Sequence, residues 1–256
     1  MNFTVVIPAR FASTRLPGKP LAEIAGKSMI QRTWEQACQS SAGRVLVATD
    51  HPDVYEAVES FGGDAVMTRD DHLSGTDRLA EVADLISAGD DEILVNVQGD
   101  EPLIPPEVIN QVATNLFTHG ECACATLAEP ITNVGDFLNP AVVKVVSDDD
   151  GRALYFSRAP IPYPRDKMSD LLKQAPESDL NAVNAYRHIG IYAYRAGLLR
   201  QFTRWAAVPL ELTESLEQLR VLANGKFIHV DTTCDDVPGG VDTPEDLLRI
   251  QRFFDK

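Results

Sequence analysis

Phe3-Thr4-Val5-Val6-Ile7, followed by Pro8-Ala9-Arg10-Phe11-Ala12-Ser13-Thr14-Arg15-Leu16-Pro17-Gly18-Lys19-Pro20, decides the fold class. The first five residues are apolar apart from one threonine, as in a strand covered on both faces. Ligands of open α/β sheets bind beyond the carboxyl ends of the strands, which is where the second segment falls. It offers backbone N–H groups, the hydroxyls of Ser13 and Thr14, two guanidinium groups and the Lys19 ammonium. Those are the parts needed to hold a polyphosphate. The glycines of a Walker loop or a dinucleotide fingerprint are missing. A long surface loop with ordinary charges is the competing reading.

Outward from this stretch, strands alternate with helices. A helix is predicted over 28–38, with Met29, Ile30, Thr33, Trp34, Ala37 and Cys38 at helical spacing. Strands follow at 44–49, 64–67 and 92–97, with helices at 52–61 and 76–86 between them. This is a parallel α/β pattern with right-handed crossovers. Further on, a helix is predicted at 106–117 and strands at 122–127, 142–146, 153–157, 189–194 and 227–230. Asp148-Asp149-Asp150-Gly151 turns one strand into a hairpin. Helices at 213–222 and 244–253 complete the pattern. The Pro-rich stretch 157–184 leaves the main sheet. The expected architecture is a three-layer Rossmann-like α/β body with a mostly parallel, mixed sheet. Residues 1–128 and 211–256 form the body, and 129–210 form an inserted lobe.

Composition narrows the partners. The chain has 256 residues, 44% hydrophobic and 24% charged, the balance of a globular protein, which excludes disorder throughout. A formal net charge of -15 argues against a general nucleic-acid binder. Residues 1–48 depart from this: Arg10, Arg15, Lys19, Lys27, Arg32 and Arg44 face only Glu23 and Glu35. Such a local cationic excess suits an anion site. No signal peptide or membrane span is read, so the expectation is a cytoplasmic protein. Cys38, Cys122, Cys124 and Cys234 lack zinc-like spacing. Cys122 and Cys124 alternate along a strand and are expected on one face of it, in the core.

Two further constellations end at the same sheet edge. In Val95-Asn96-Val97-Gln98-Gly99-Asp100-Glu101-Pro102 an apolar strand runs into two carboxylates. Carboxylates at a strand end suit Mg2+, which also takes water and phosphate oxygens. Gly99 would let the backbone approach a ligand closely. A helix-opening turn explains the same residues. In Gly239-Gly240-Val241-Asp242-Thr243-Pro244, Thr243 is the natural helix cap. That leaves Asp242 available to reach the same metal as Asp100.

The opening segment resembles that of the 3-deoxy-manno-octulosonate (Kdo) cytidylyltransferases, of the nucleotide-diphospho-sugar transferase superfamily. The likeness continues through Ser74-Gly75-Thr76-Asp77-Arg78, Asn96-Val97-Gln98-Gly99-Asp100-Glu101-Pro102 and Tyr155-Phe156-Ser157-Arg158. It extends through Arg187-His188-Ile189-Gly190-Ile191-Tyr192-Ala193-Tyr194, Leu216-Glu217-Gln218-Leu219-Arg220 and Gly240-Val241-Asp242-Thr243. These motifs keep the family's order over essentially the full length.

The resemblance implies that CTP and Kdo give CMP-Kdo and pyrophosphate, for lipopolysaccharide. It implies a homodimer joined through the inserted lobe. Arg10, Ser13 and Arg15 would hold nucleotide, and Lys19 the phosphates. Gly75, Thr76 and Arg78 would lie near cytosine and ribose. Asp100 and Asp242 would bind Mg2+; with Lys19 and Arg15 they form the implied catalytic set. Gln98, Arg165, His188, Tyr192, Glu217 and Gln218 would surround the sugar. His188 is read either as a sugar contact or as a structural residue beside an apolar strand, with a general-base role as a third reading. A different acid sugar, such as 8-amino-Kdo or a sialic acid, and a uridylyl or guanylyl transfer are the alternatives.

Overall fold

The computed structural model describes residues 2–12, 16–72, 74–180 and 183–254. Strand β1 (Phe3–Ala9) is buried along most of its length, and a single 3-10 turn at Lys19–Leu21 interrupts the loop after it. A two-stranded hairpin follows, β2 (Glu23–Ile24) with β3 (Lys27–Ser28). The Ser28 hydroxyl accepts from the Gln31 N–H and caps α1 (Met29–Ala37). Then come β4 (Arg44–Thr49), α2 (Pro52–Ser60), β5 (Asp64–Met67), α3 (Gly75–Leu85) and β6 (Ile93–Asn96). The chain continues through α4 (Pro106–Thr118), β7 (Cys122–Pro130), α5 (Val134–Leu138), β8 (Lys144–Ser147) and β9 (Ala153–Ser157). The remainder is α6 (Met168–Leu171), β10 (Tyr186–Arg195), α7 (Ala196–Phe202), α8 (Pro209–Glu214), α9 (Gln218–Ala223), β11 (Phe227–Thr232) and α10 (Pro244–Phe254).

Among the described residues, nine strands form one mixed sheet in the order β11-β7-β10-β6-β1-β4-β5, with the β8–β9 hairpin joined through β10. β6, β1, β4 and β5 are mutually parallel, as are β7 and β11. β10 runs antiparallel between β6 and β7. Two apolar cores cover the sheet. One packs Ile30, Val54, Val108 and Val112 against Val5, Ile7 and Val95. The other packs Leu79, Val82, Leu199 and Leu219 against Val6, Leu46 and Leu94. The result is the expected helix–sheet–helix layering.

Three expectations are corrected. The stretch 129–210 is not a lobe along its full length, because β10 lies inside the central sheet and α7 packs on the helical layer beside α3. Only a smaller cluster around Ile131, Val134, Phe137, Met168, Leu171, Leu180 and Ala185 forms a core of its own. Cys122 and Cys124 are both buried but not on one face. A register shift against β11 breaks the alternation, so Cys122 joins the α4 core and Cys124 the opposite one. The predicted helix over 213–222 is two short helices, broken at Ser215 in a left-handed conformation with φ 52°. Contacts from β9, described below, impose that break.

Candidate functional site

The parallel strands β1 and β6 end side by side and open a cleft of about 350 Å3 lined by Pro8, Ala9, Arg10, Lys19, Gln98, Gly99, Asp100 and Asp242. A β carbon on Gly99 would lie 2.8 Å from the Pro8 carbonyl oxygen, so the glycine lets two backbones approach each other rather than admitting a ligand. The Lys19 ammonium donates to Asp100 at 2.5 Å and to Asp242 at 3.0 Å. Two carboxylates from distant parts of the chain therefore converge on one cation position. The loop bearing Asp242 is tied down locally. Val241 N–H donates to the Asp100 carbonyl at 2.9 Å, and Gly240 packs where a β carbon would be 3.1 Å from that same oxygen. Thr243 caps α10: its hydroxyl accepts from the Asp246 N–H at 3.2 Å, which leaves the Asp242 carboxylate facing the cleft. Arg10 brings a buried Nη2 with no protein partner into this region.

Glu101 is separated from its neighbour. It lines a hollow of about 230 Å3 with Arg187, His188 and Gly190, on another side of the strand end. Burial, and then the Asp100 charge, push its carboxyl up to about 8. It is neutral at pH 7, and of the two acids Asp100 is the one suited to a cation.

Gly75 and Gln98 also line a second cavity of about 270 Å3, so the two spaces adjoin across these residues. Ser74 and Asp77 form a capping box that sets Gly75 and Thr76 on the first turn of α3, at the cavity mouth. Thr76 donates its hydroxyl to Glu217 at 3.0 Å. Burial pushes the Glu217 carboxyl up from the usual range, against the lowering pull of the Thr76 hydroxyl. Tyr192 and Gln218 complete this wall, together with Asn96, Tyr194 and Ser215.

Glu217 reaches the cavity because of the break before it. Ser157 donates its hydroxyl to Glu214 at 2.7 Å, and Arg158 donates its N–H to the same carboxylate at 2.9 Å. Arg158 Nε also donates to the Glu214 carbonyl at 2.6 Å. The Tyr155-Phe156-Ser157-Arg158 motif thus holds the end of α8. Arg220 holds the other arm through a bidentate pair with the buried Glu211, 2.8 Å from Nε to Oε2. These clamps turn the chain at Ser215 and present Glu217 and Gln218 to the cavity.

The structure thus gathers Arg10, Lys19, Gly75, Thr76, Gln98, Asp100, Tyr192, Glu217, Gln218 and Asp242 around two adjoining spaces. Ser13 and Arg15 lie outside the described residues. Three others are placed elsewhere. Arg78 is fully buried, donates to Asp50 at 2.6 Å and to the Thr68 hydroxyl, and lines neither space. It braces the loop indirectly, since Asp50 accepts the Phe11 N–H at 3.4 Å. The Arg165 side chain is 92% exposed, on the Pro-rich stretch. His188 packs against Phe156 and Tyr192, with Nε2 3.1 Å from the Thr126 hydroxyl. Burial lowers its pKa to about 3. So weak a base does not take a proton from a sugar hydroxyl. Asn96 and Tyr194 were not singled out from sequence. The one available signal is a polar residue closing the otherwise apolar strand Ile93-Leu94-Val95-Asn96.

Cations and paired carboxylates at the carboxyl edge of parallel strands, opening into a polar cavity, define a nucleotide-binding transferase of the α/β class. The comparisons with known proteins agree. The cytidylyltransferase family model matches residues 4–228. A 3-deoxy-manno-octulosonate cytidylyltransferase of Pseudomonas fluorescens is 60% identical over 252 residues, 98% of each chain. One from Saccharophagus degradans is 56% identical over 98% of each chain. A solved structure described as CMP:2-keto-3-deoxy-manno-octonic acid synthetase complexed with CTP superposes with a TM-score of 0.89. It is 40% identical and covers 100% of this chain and 99% of its own. The chain belongs to the cytidylyltransferase family, and within it to the 3-deoxy-manno-octulosonate cytidylyltransferases.

Proposed function

We propose that the protein transfers the cytidylyl group of CTP to the anomeric 2-hydroxyl of Kdo, giving CMP-Kdo and pyrophosphate for lipopolysaccharide synthesis. The observation that carries this reading is the convergence of Asp100 and Asp242 on one cation position, in a cleft that adjoins a polar cavity at Gly75 and Gln98. The activity of the relatives supports it.

The donor set fits Mg2+. Two carboxylates already share a cation, the Lys19 ammonium, and no third His, Cys, Asp or Glu joins them among the described residues. A magnesium ion keeps waters and takes phosphate oxygens for its other positions. Bound there with CTP, it would offset the repulsion between an anionic sugar and an anionic triphosphate. Lys19 and Arg10 neutralise phosphate oxygens from the protein side. Gln98, at the junction, can donate to one reactant and accept from the other. Glu217 accepts from sugar hydroxyls. No covalent enzyme nucleophile is required, since aligned attack and charge stabilisation suffice for phosphoryl chemistry. The nucleotide is set against β1, β6 and α3, and the sugar against β10 and α9.

We further propose a homodimer in the cytoplasm, joined near the smaller cluster, where Tyr163 and Leu172 are exposed. Among the described residues no helix is long and apolar enough to cross a membrane. Pyrophosphate release from CTP, UTP and GTP across a panel of acid sugars tests the activity. Turnover confined to CTP with Kdo is expected. Preference for a sialic acid or for UTP would overturn the assignment.

A further inference from the structure

Strand β10 carries two residues more than its neighbour where it passes the cavity. Ile189 stands opposite Leu127 and Tyr192 opposite Thr126, so Gly190 and Ile191 face no residue of β7. They face none of β6 or β8 either. Such a bulge takes backbone groups out of the ladder, and buried ones then need another partner. One side chain supplies it. The Thr126 hydroxyl, fully buried on β7, lies 2.7 Å from the Ile191 carbonyl oxygen and 3.0 Å from that of Ile189. It donates its proton to these oxygens, so a single hydroxyl closes both ends of the bulge.

The same hydroxyl reaches the residues on either side of the bulge. His188 Nε2 lies 3.1 Å away, and the Tyr192 side chain hydrogen-bonds it as well. A threonine oxygen has one proton to give and two lone pairs to receive. With that proton committed to the carbonyls, His188 and Tyr192 are the donors, which puts the imidazole proton on Nε2. The bulge also shapes the surroundings of the site. Gly190 lines both the cavity of about 270 Å3 and the hollow of about 230 Å3 beside Glu101, and nothing lies within 4 Å of where its β carbon would be. Tyr192 lines the first of these spaces and His188 the second. A regular ladder would draw Gly190 and Ile191 back toward β7 and move this wall.

We propose that Thr126 is a positioning residue for the transfer reaction: its hydroxyl holds the β10 bulge, and the bulge holds Tyr192 and the wall at Gly190 in place for the acid sugar. The proposal rests on the acid-sugar transferase reading above. Thr126 itself lines none of the three spaces, so it acts through β10 and not by touching substrate. The role needs a hydroxyl and not merely a β-branched shape. Valine keeps the shape but leaves two carbonyls, an imidazole and a phenol without their partner. Serine keeps the hydroxyl and loses only a methyl group.

The test is steady-state pyrophosphate release from CTP and Kdo by the wild type, Thr126→Val and Thr126→Ser, with the urea midpoint of each. Both variants should be less stable, since one loses hydrogen bonds and the other leaves a small cavity. Only Thr126→Val should lose roughly 5- to 150-fold in kcat/KM for Kdo, with KM for CTP unchanged. Thr126→Ser should keep most of the wild-type value. If Thr126→Val fails to fold, Thr126→Cys, whose thiol is a weak donor, should show the same split to a smaller degree. Activity that follows the urea midpoint in both variants, equal losses toward Kdo and CTP, or a wild-type kcat/KM for Kdo in folded Thr126→Val would overturn the positioning role. Pyrophosphate release by the wild type with another acceptor and with no acid sugar would instead overturn the transferase reading, and the positioning role with it.

Discussion

Val241 donates its N–H to the Asp100 carbonyl over 2.9 Å, which fixes the segment bearing Asp242 against the strand end bearing Asp100. The spacing of the two carboxylates is therefore set by backbone, not by side-chain choice. Asp100→Asn or Asp242→Asn should lower kcat on the order of 100-fold, the scale of losing one group that stabilises transition-state charge. The far-ultraviolet circular dichroism should stay unchanged. Wild-type turnover in either variant at limiting Mg2+ would separate that residue from the cation.

Arg78 makes a different prediction from the other residues of its motif. It is fully buried and paired with Asp50, so Arg78→Ala leaves a nearly buried carboxylate uncompensated. Breaking such a pair costs about 3–5 kcal/mol. The loss should appear as a lower urea midpoint in the absence of nucleotide. A variant of native stability that binds CTP poorly would return Arg78 to the nucleotide site.

Glu217→Gln keeps the shape of the side chain but replaces an acceptor-only group with a mixed one. The Thr76 hydroxyl retains an oxygen to donate to, so the local structure should hold. Losing a hydrogen bond to a buried sugar hydroxyl predicts roughly a 5- to 150-fold fall in kcat/KM for Kdo. CTP affinity without sugar, read by calorimetry, should be little changed. The reverse pattern would move Glu217 to the nucleotide half.

His188 gives the protein an acid-sensitive step. In the unfolded chain its imidazole takes a proton below about pH 6.5. In the folded protein burial lowers the pKa to about 3. Between those values the unfolded state binds more protons, so stability falls as the pH falls through that window. Allowing for partial exposure, the loss is on the order of 2–4 kcal/mol. The urea midpoints at pH 7 and pH 4 should lie closer together in His188→Gln than in the wild type. The pH dependence of kcat near neutrality should carry no limb that His188→Gln removes.

The fold was legible where apolar periodicity is strong and local. β1, β4 and β6 are continuous apolar runs, and α1 and α3 carry their stripes and hydroxyl caps in the sequence. The hairpin of β2 and β3 was not, because two-residue strands leave no period to count. α7 follows β10 with no intervening turn residue, so no boundary marks it. The kink at Ser215 comes from Ser157 and Arg158 gripping Glu214, a contact far away in sequence.

The site divides the same way. Lys19, Asp100 and Asp242 were legible because each lies just outside an apolar run or at a helix start. Arg78 reads as a ligand contact in its motif, since nothing local reveals that Asp50 will bury beside it. Asn96 was missed for the opposite reason. A lone polar residue at a strand end has the same signature as the first residue of a turn, and only its pairing opposite Tyr192 places it in the cavity.

The docking of Val241 on Asp100 has a consequence for biosynthesis. β11, the last strand of the sheet, ends at Thr232, and Asp242 follows it. Domains generally fold as units, so a contact that is long in sequence waits for the whole domain. The Lys19–Asp242 contact spans 223 positions in sequence, so it closes only when nearly the whole chain is available. By the reading proposed above, the Asp100–Asp242 site is therefore the last part of the molecule to be completed.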